Sequence, residues 1–364
     1  MSAAAVQSAT AQQNDLALNL RGSDSPPGSP KPVEEASARP TWPDTKYPPL
    51  EPHDFRDVGA RADPSLKNLL GAGTKRTDLT PHIGTELEGV QLSQLTDAQK
   101  DELALLTAQR GVVFFRDQDI TVHQQLDLGR HYGRLHIHPT SGHPEGLPEV
   151  HVVHTKDIEY RKEGQPRQSQ RDTWHSDVTY ELQPPGLTTL KINKLPPVGG
   201  DTLWASGYAL YDTLSPQLQK LFEGLEAEHS GFEQAEGSRR QGREPRRAPV
   251  KHIHPIVRVH PVTGWKSIFV NPGFTRSIVG VSKAESNALL KLLFDHIAES
   301  QDLQVRFKWS KNSVAVWDNR ITIHNAIFDY LPALRHGARV TPQAERPYFD
   351  ANGKSRAEDL KLAG

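Results

Sequence analysis

The sequence predicts an α+β protein, mainly β, in the form of a β-sandwich or barrel decorated with helices. Three observations carry that expectation. From VHVVHT (150–155) onward the chain breaks into short β-rich runs, LTTLKINKL (187–195), DTLWAS (201–206), HPIVRVHP (254–261), KSIFVN (266–271) and SVAVWDN (313–319), each bounded by Pro, Gly or Asn. Helical patterns are few: LTDAQKDELALLTAQRG (95–111), TVHQQLDLGRHYG (121–133), ALYDTLSPQLQKLFEGL (209–225) and SKAESNALLKLLFDHIAES (282–300). The two kinds of segment do not alternate as βαβ units, which argues against a parallel sheet.

Each element has its local signal. In the first helix Thr96 followed by Asp97 reads as an N-cap and Gly111 as a stop, with Leu95, Leu103 and Leu106 at helical spacing. GVVFFRDQ (111–118) is a short apolar run, read as a buried strand. Ahead of these, residues 22–60 are dense in Pro, Ser, Gly and charge, too poor in apolar side chains to offset the entropy of ordering. The division expected is an N-terminal arm over 1–79, partly disordered, with Trp42 and Tyr47 as anchors; a domain over 80–350; and a tail over 351–364. The segment GFEQAEGSRRQGREPRRAPVK (231–251), with five arginines and almost no apolar residue, reads as a solvated loop or an anion-attracting lid.

Composition removes whole classes of function. With 43 basic and 44 acidic residues the formal net charge is −1, so no global field draws nucleic acid or an anionic membrane, and neither is expected as a partner. The chain has no cysteine, which excludes a disulfide scaffold, a thiolate metal site, an iron–sulfur cluster and a cysteine nucleophile. His, Asp and Glu remain as metal ligands. No apolar run approaches the ~18 residues of a membrane span, and the first twenty residues lack the pattern of a secretory signal; a cytoplasmic protein is expected.

The informative motif is TWHSDVTY, where His175 and Asp177 stand at i and i+2. On an extended segment alternate side chains leave the same face, so imidazole and carboxylate can converge on one ion. His324 downstream would complete two His and one carboxylate, a facial set with open positions that suits Fe(II) binding a chelating co-substrate together with O2. Arg335 and Arg339, four apart, would clamp two oxyanions if they project inward from the last core strand, or would be salt-bridged surface residues if they do not.

At this point the sequence resembles a known family. WHSDVTYELQPPG (174–186), LPPVGGDTLWASGYALYDTLSP (195–216), HPIVRVHPVTG (254–264), FVNPGFTRSIV (269–279) and VWDNRITIHNAIFDYLPALRHGARV (316–340), with LHIHP (135–139), resemble in order the taurine catabolism dioxygenases, an iron(II)/2-oxoglutarate group acting on sulfonates. The long N-terminal arm is closer to the fungal sulfonate dioxygenases than to compact bacterial enzymes. The resemblance implies a double-stranded β-helix (distorted jelly roll) core with flanking helices. It implies Fe(II) held by His175, Asp177 and His324, with 2-oxoglutarate as co-substrate beside Thr202 and Arg335. It places a small anionic substrate at His138 and Arg339, with Phe274 lining the pocket, and suggests a homo-oligomer.

Three positions depart from the taurine enzymes. Ser141 replaces a tyrosine, Arg171 an asparagine, and SGFEQAEG (230–237) a phenylalanine-bearing segment. They leave the iron and 2-oxoglutarate residues untouched and put taurine itself in question; Arg171, if it faces the pocket, would add charge beside the substrate. Four readings stand at this stage. The first is a dioxygenase releasing sulfite from an organosulfonate for sulfur scavenging, which a chain with one methionine and no cysteine would suit. The others are the same chemistry on an alkyl sulfate ester or aryloxy carboxylate, a zinc hydrolase on the same three ligands, and a silent jelly-roll binding protein. His136, His252 and His254 read as structural histidines, Trp174 and Trp204 as packing, and Asp318 and Asn319 as turn residues.

Overall fold

The computed structural model describes residues 40–155 and 169–361. Residues 1–39 of the expected arm, residues 156–168 and the last three residues lie outside them. No helix among the described residues is long and apolar enough to cross a membrane.

The chain order is β1 (Lys75–Asp78), β2 (Thr85–Glu88), α1 (Asp97–Arg110), β3 (Val112–Phe115), α2 (Val122–Tyr132), β4 (Val150–His154), β5 (Leu187–Lys194), β6 (Thr202–Ser206), α3 (Gly207–Asp212) and α4 (Pro216–Glu223). It continues with β7 (Glu226–Ser230), α5 (Phe232–Arg240), β8 (Lys251–Pro255), β9 (Val257–Val259), β10 (Lys266–Ile268), β11 (Thr275–Ile278) and α6 (Lys283–Glu299). The last elements are β12 (Gln304–Phe307), β13 (Val314–Asp318), β14 (Thr322–Ala326), β15 (His336–Val340) and α7 (Arg356–Leu360).

The helix starts follow their caps. Thr96, Thr121 and Ser282 each close a capping box with the Gln or Glu three residues on, and Gly111 ends α1 at φ 75°, a conformation glycine adopts without steric cost. Ser215 with Pro216 restarts the chain, so one predicted helical run becomes α3 and α4.

Seven strands form one sheet in the order β1-β2-β3-β13-β5-β15-β4, and β12-β6-β14 and β11-β7-β8 form two smaller ones. Alternation along β13 explains the layering. Val314 and Val316 pack outward with Val113, Phe115 and the α1 leucines, whereas Ala315 and Trp317 point inward onto Trp204 of β6 and Val305 and Phe307 of β12. Between the sheets Phe114 stacks on Phe307 at 4.0 Å and meets Trp204 edge-on. Leu290, Leu293 and Ile297 of α6 cover the smaller sheets from outside. This is the mainly β, helix-flanked jelly roll the sequence predicts.

Candidate active site

His175 lies against β14. It is not on a strand, as the i, i+2 spacing suggested. Trp174 to Ser176 run extended with a single antiparallel bridge from His175 to His324 of β14, and the chain then turns at Val178, whose φ is +38°. The bridge puts the two imidazoles 4.2 Å apart, centroid to centroid. Both Nε2 atoms lie 3.8 Å from Asp177 Oδ1. Ligand bonds of about 2.1 Å bridge gaps of up to about 4.2 Å, so one ion can span both.

The surroundings prepare all three as ligands. His175 Nδ1 donates to the Thr173 carbonyl at 2.9 Å, which leaves the lone pair on Nε2. Burial, with His175 adding to it, pushes His324 down to about 3, so its ring is neutral. Burial would raise Asp177, but Arg339, His324 and His175 outweigh it and hold the carboxyl below the usual range. Asn319 Oδ1 accepts the Asp177 N–H at 3.1 Å and fixes the turn. Asp177 Oδ2 is buried with no partner, the orphan a cation would satisfy. Among the described residues this is the only cluster of three such side chains that could hold a metal.

Two guanidiniums flank the cluster, 2% and 7% exposed, which removes the surface salt-bridge reading. Arg335, just before β15, approaches Thr202 Oγ1 at 3.4 Å, and Trp309 Nε1 donates to the same oxygen at 3.0 Å. Arg339, on β15, donates to Asp177 Oδ1 at 2.6 Å and to His151 Nδ1. Each guanidinium keeps a buried Nε–H without a partner. A three-ligand metal position with two separate anion clamps is the result. A model of the taurine catabolism dioxygenase TauD, TfdA family matches residues 75–341.

The chain belongs to that family.

Among curated relatives, the alpha-ketoglutarate-dependent sulfonate dioxygenase of Saccharomyces cerevisiae is 46% identical over 321 residues, 85% of this chain and 78% of that protein. Among solved structures, a taurine dioxygenase from Burkholderia xenovorans is 34% identical, with a TM-score of 0.64 over 78% of this chain and 94% of that one. As a member of the TauD/TfdA family, this protein is an Fe(II)- and 2-oxoglutarate-dependent dioxygenase using O2; alpha-ketoglutarate is the same compound.

His138 and Phe274, which the resemblance assigns to the substrate, are both buried. His138 Nδ1 accepts the amides of Thr140 and Ser141 at 3.2 and 3.1 Å, and Phe274 stands edge-on to His175 at 6.2 Å. A Cβ at Gly273 would come within 2.8 Å of His175 Cβ, so glycine lets the Phe274 loop close on the cluster. Arg171 is a correction: it lies in a 3-10 turn and is ion-paired to Asp295 of α6, so its charge is balanced there instead of adding to the substrate side.

Other residues of the site escaped the sequence reading. Arg246 and Arg247 sit in the segment read as a solvated loop or lid. They are buried because their guanidiniums take up main-chain carbonyls around His138: Arg246 those of His138 and Ser141, Arg247 that of Ile137 together with Glu181. The first half of that segment is α5. Over it run residues 40–57, packed on the domain well before residue 80: Thr41 bridges His143, Trp42 lies under Arg243, and the Tyr47 amide donates to the Arg246 carbonyl. Asn319, read as a turn residue, holds Asp177. His151 sat in plain view in VHVVHT, where only its strand character registered. The three histidines read as structural have protein partners: His252 and His254 bond the carbonyls of Tyr180 and Glu181, and His136 the Glu181 carboxylate.

Proposed function

We infer that this protein is a sulfonate dioxygenase: it hydroxylates the carbon next to a sulfonate, releasing sulfite and an aldehyde, with 2-oxoglutarate converted to succinate and CO2. The carrying observation is the pairing of the His175–Asp177–His324 cluster, whose Asp177 and His324 are buried, with two guanidiniums that each keep an unpartnered N–H. Bound iron supplies the activation of O2.

This chain's own residues do the selecting. Arg335 and Thr202 take the distal carboxylate of 2-oxoglutarate, and burial makes that charged hydrogen bond strong. Arg339 and His138 take the sulfonate and so decide which carbon lies against the metal. Phe274 walls the pocket and keeps water from the reacting carbon. The near absence of sulfur from the chain fits a protein made to recover sulfur. The reading extends to a homo-oligomer, which light scattering on the full chain tests.

Anaerobic loading with Fe(II) and 2-oxoglutarate, followed by oxygen, tests the activity across alkanesulfonates, taurine, alkyl sulfate esters and aryloxyacetates. Sulfite formed in step with succinate from a sulfonate is the expected result. Sulfate from an ester would move the protein to the alkyl sulfate branch of the family, and no stimulated succinate from any anion would remove the sulfonate reading.

A further inference from the structure

The turn that carries Arg335 toward β15 also carries a tyrosine. Asp329 and Tyr330 dock on the Gly199–Gly200 turn that leads into β6, with Asp329 Oδ1 accepting the Gly200 N–H at 2.8 Å. The Ala333 N–H then donates to the Tyr330 carbonyl at 2.9 Å and folds the chain back toward Arg335. Gly200 has φ +78°, and the space above it is filled from two sides. A Cβ there would stand 3.2 Å from Tyr330 Cδ1 and 3.3 Å from Arg335 Cδ. The phenol and the stem of the guanidinium therefore lie against one glycine, two residues before Thr202.

The Tyr330 hydroxyl is buried and has no hydrogen-bond partner among the described residues. Its polar neighbours are the Arg335 guanidinium and the Thr155 hydroxyl, near enough to act on it electrostatically, yet neither stands at hydrogen-bonding geometry. Thr155 Oγ1 is taken up by main chain: it accepts the Arg335 N–H at 2.6 Å and lies 3.2 and 3.1 Å from the carbonyls of Ala333 and Arg335. A guanidinium only donates, so it offers the phenol proton no acceptor. Burial pushes the phenol above its ordinary value, and the proton stays on at neutral pH. Thr202 Oγ1 accepts the Trp309 indole N–H, which leaves its own proton to give. The orphaned Nε–H of Arg335 completes a set of three donors facing a shortage of acceptors.

We propose that Tyr330 is a further co-substrate-binding residue: its hydroxyl donates to the distal carboxylate of 2-oxoglutarate beside Arg335 and Thr202, and so helps to select a 2-oxo diacid over a 2-oxo monoacid. This rests on the reading that Arg335 and Thr202 take that carboxylate. A carboxylate brings two oxygens with about four lone-pair sites, enough for all three donors. A methyl group in its place brings none, and unmatched buried donors are a strong means of rejecting an analogue.

The test is calorimetric binding to the anaerobic Fe(II) enzyme, which needs no turnover. The ligands are 2-oxoglutarate and 2-oxopentanoate, which carries a methyl where the distal carboxylate stands, against the wild type, Tyr330→Phe and Arg335→Lys. Tyr330→Phe should weaken 2-oxoglutarate by about tenfold, the size of one hydrogen bond to a charged group, and 2-oxopentanoate by less than about twofold. The ligand-free Tyr330→Phe protein should melt no lower than the wild type, because the variant deletes a buried hydroxyl that nothing satisfies. Unchanged affinity for 2-oxoglutarate, or equal weakening of both acids, would overturn the proposal, since the ring would then act only by packing. A lower Tm without ligand would also overturn it, by showing the hydroxyl already paired in the free protein. Arg335→Lys should weaken 2-oxoglutarate far more than 2-oxopentanoate. If it weakens neither selectively, the placement of the distal carboxylate falls; if it does so while Tyr330→Phe has no effect, that placement stands and the role of Tyr330 falls.

Discussion

His175 and His324 are hydrogen-bonded to each other through their main chains, the N–H of each donating to the carbonyl of the other at 2.9 and 2.8 Å. Two ligands separated by most of the domain's sequence are thereby locked in register before any ion arrives. The third, Asp177, is held by the Asn319 amide oxygen on the turn that leads into the same strand. The metal position is set by backbone pairing, and the side chains inherit its rigidity.

Removing the one negative ligand should therefore abolish metal retention without unfolding the cradle. Asp177→Asn keeps the shape and loses the charge. Iron affinity should fall by at least about 100-fold, since loss of an outer partner alone costs ~10–100-fold. Iron per chain after equilibrium dialysis reads this directly; retention at the wild-type level would contradict the ligand assignment.

Arg335 should govern the co-substrate and not the substrate. Its guanidinium is buried beside Thr202, and lysine cannot reproduce the planar fork. Arg335→Lys should raise the KM for 2-oxoglutarate by about 10–100-fold, from charged hydrogen bonds of ~1.5–3 kcal/mol, while the KM for the sulfonate changes by less than about twofold. Steady-state kinetics with each substrate varied in turn checks the split.

Arg246 has the opposite signature. It holds the carbonyls of His138 and Ser141 and, by its own N–H, that of Pro139 at 2.8 Å. Arg246→Met fills the volume and removes the donors. The sulfonate KM should rise by about tenfold, the KM for 2-oxoglutarate should stay, and Tm should drop by a few degrees for the ~1–3 kcal/mol of unsatisfied carbonyls. An unchanged sulfonate KM would make this arginine purely a structural strut.

His254 gives stability a pH dependence of known sign. Burial pushes its imidazole down from 6.5 to about 3, and Nε2 stays bonded to the Glu181 carbonyl. Below pH 6.5 the unfolded chain binds a proton that the folded chain refuses, so stability falls as pH drops, and the fall continues toward the folded value. Between pH 6.5 and 5 this group should remove about 2 kcal/mol. His254→Gln keeps a donor and cannot titrate; in urea unfolding at the two pH values it should lose about that much less.

The residues of the candidate site were legible because they lie in short local patterns. His175 with Asp177, Arg335 with Arg339, and the blocks around His324 and Thr202 need no knowledge of the fold to stand out. What was not legible depends on register or on distant partners. His151 reaches Arg339 because β4 pairs with β15 so as to set the two opposite each other, and nothing in VHVVHT announces that pairing. Arg246 and Arg247 look solvated in a stretch without apolar neighbours; the carbonyls that bury them are about a hundred residues away. Arg171 misled in the other direction, since its partner Asp295 sits on a helix far along the chain. The strands were found where β-branched residues cluster. β1, β2 and β7, written KRTD, TELE and EAEHS, carry too few such residues to be seen and exist because neighbouring strands need partners.

The central claim is hydroxylation at the carbon that bears the sulfonate, and one measurement addresses it most directly: mass spectrometry of the organic product from an alkanesulfonate dideuterated at that carbon, with sulfite and succinate counted in the same sample. The account predicts an aldehyde carrying one deuterium, with sulfite and succinate in equal amounts. An alcohol retaining both deuterium atoms, formed with sulfite but without succinate, would mean hydrolysis at the same three ligands and would contradict it.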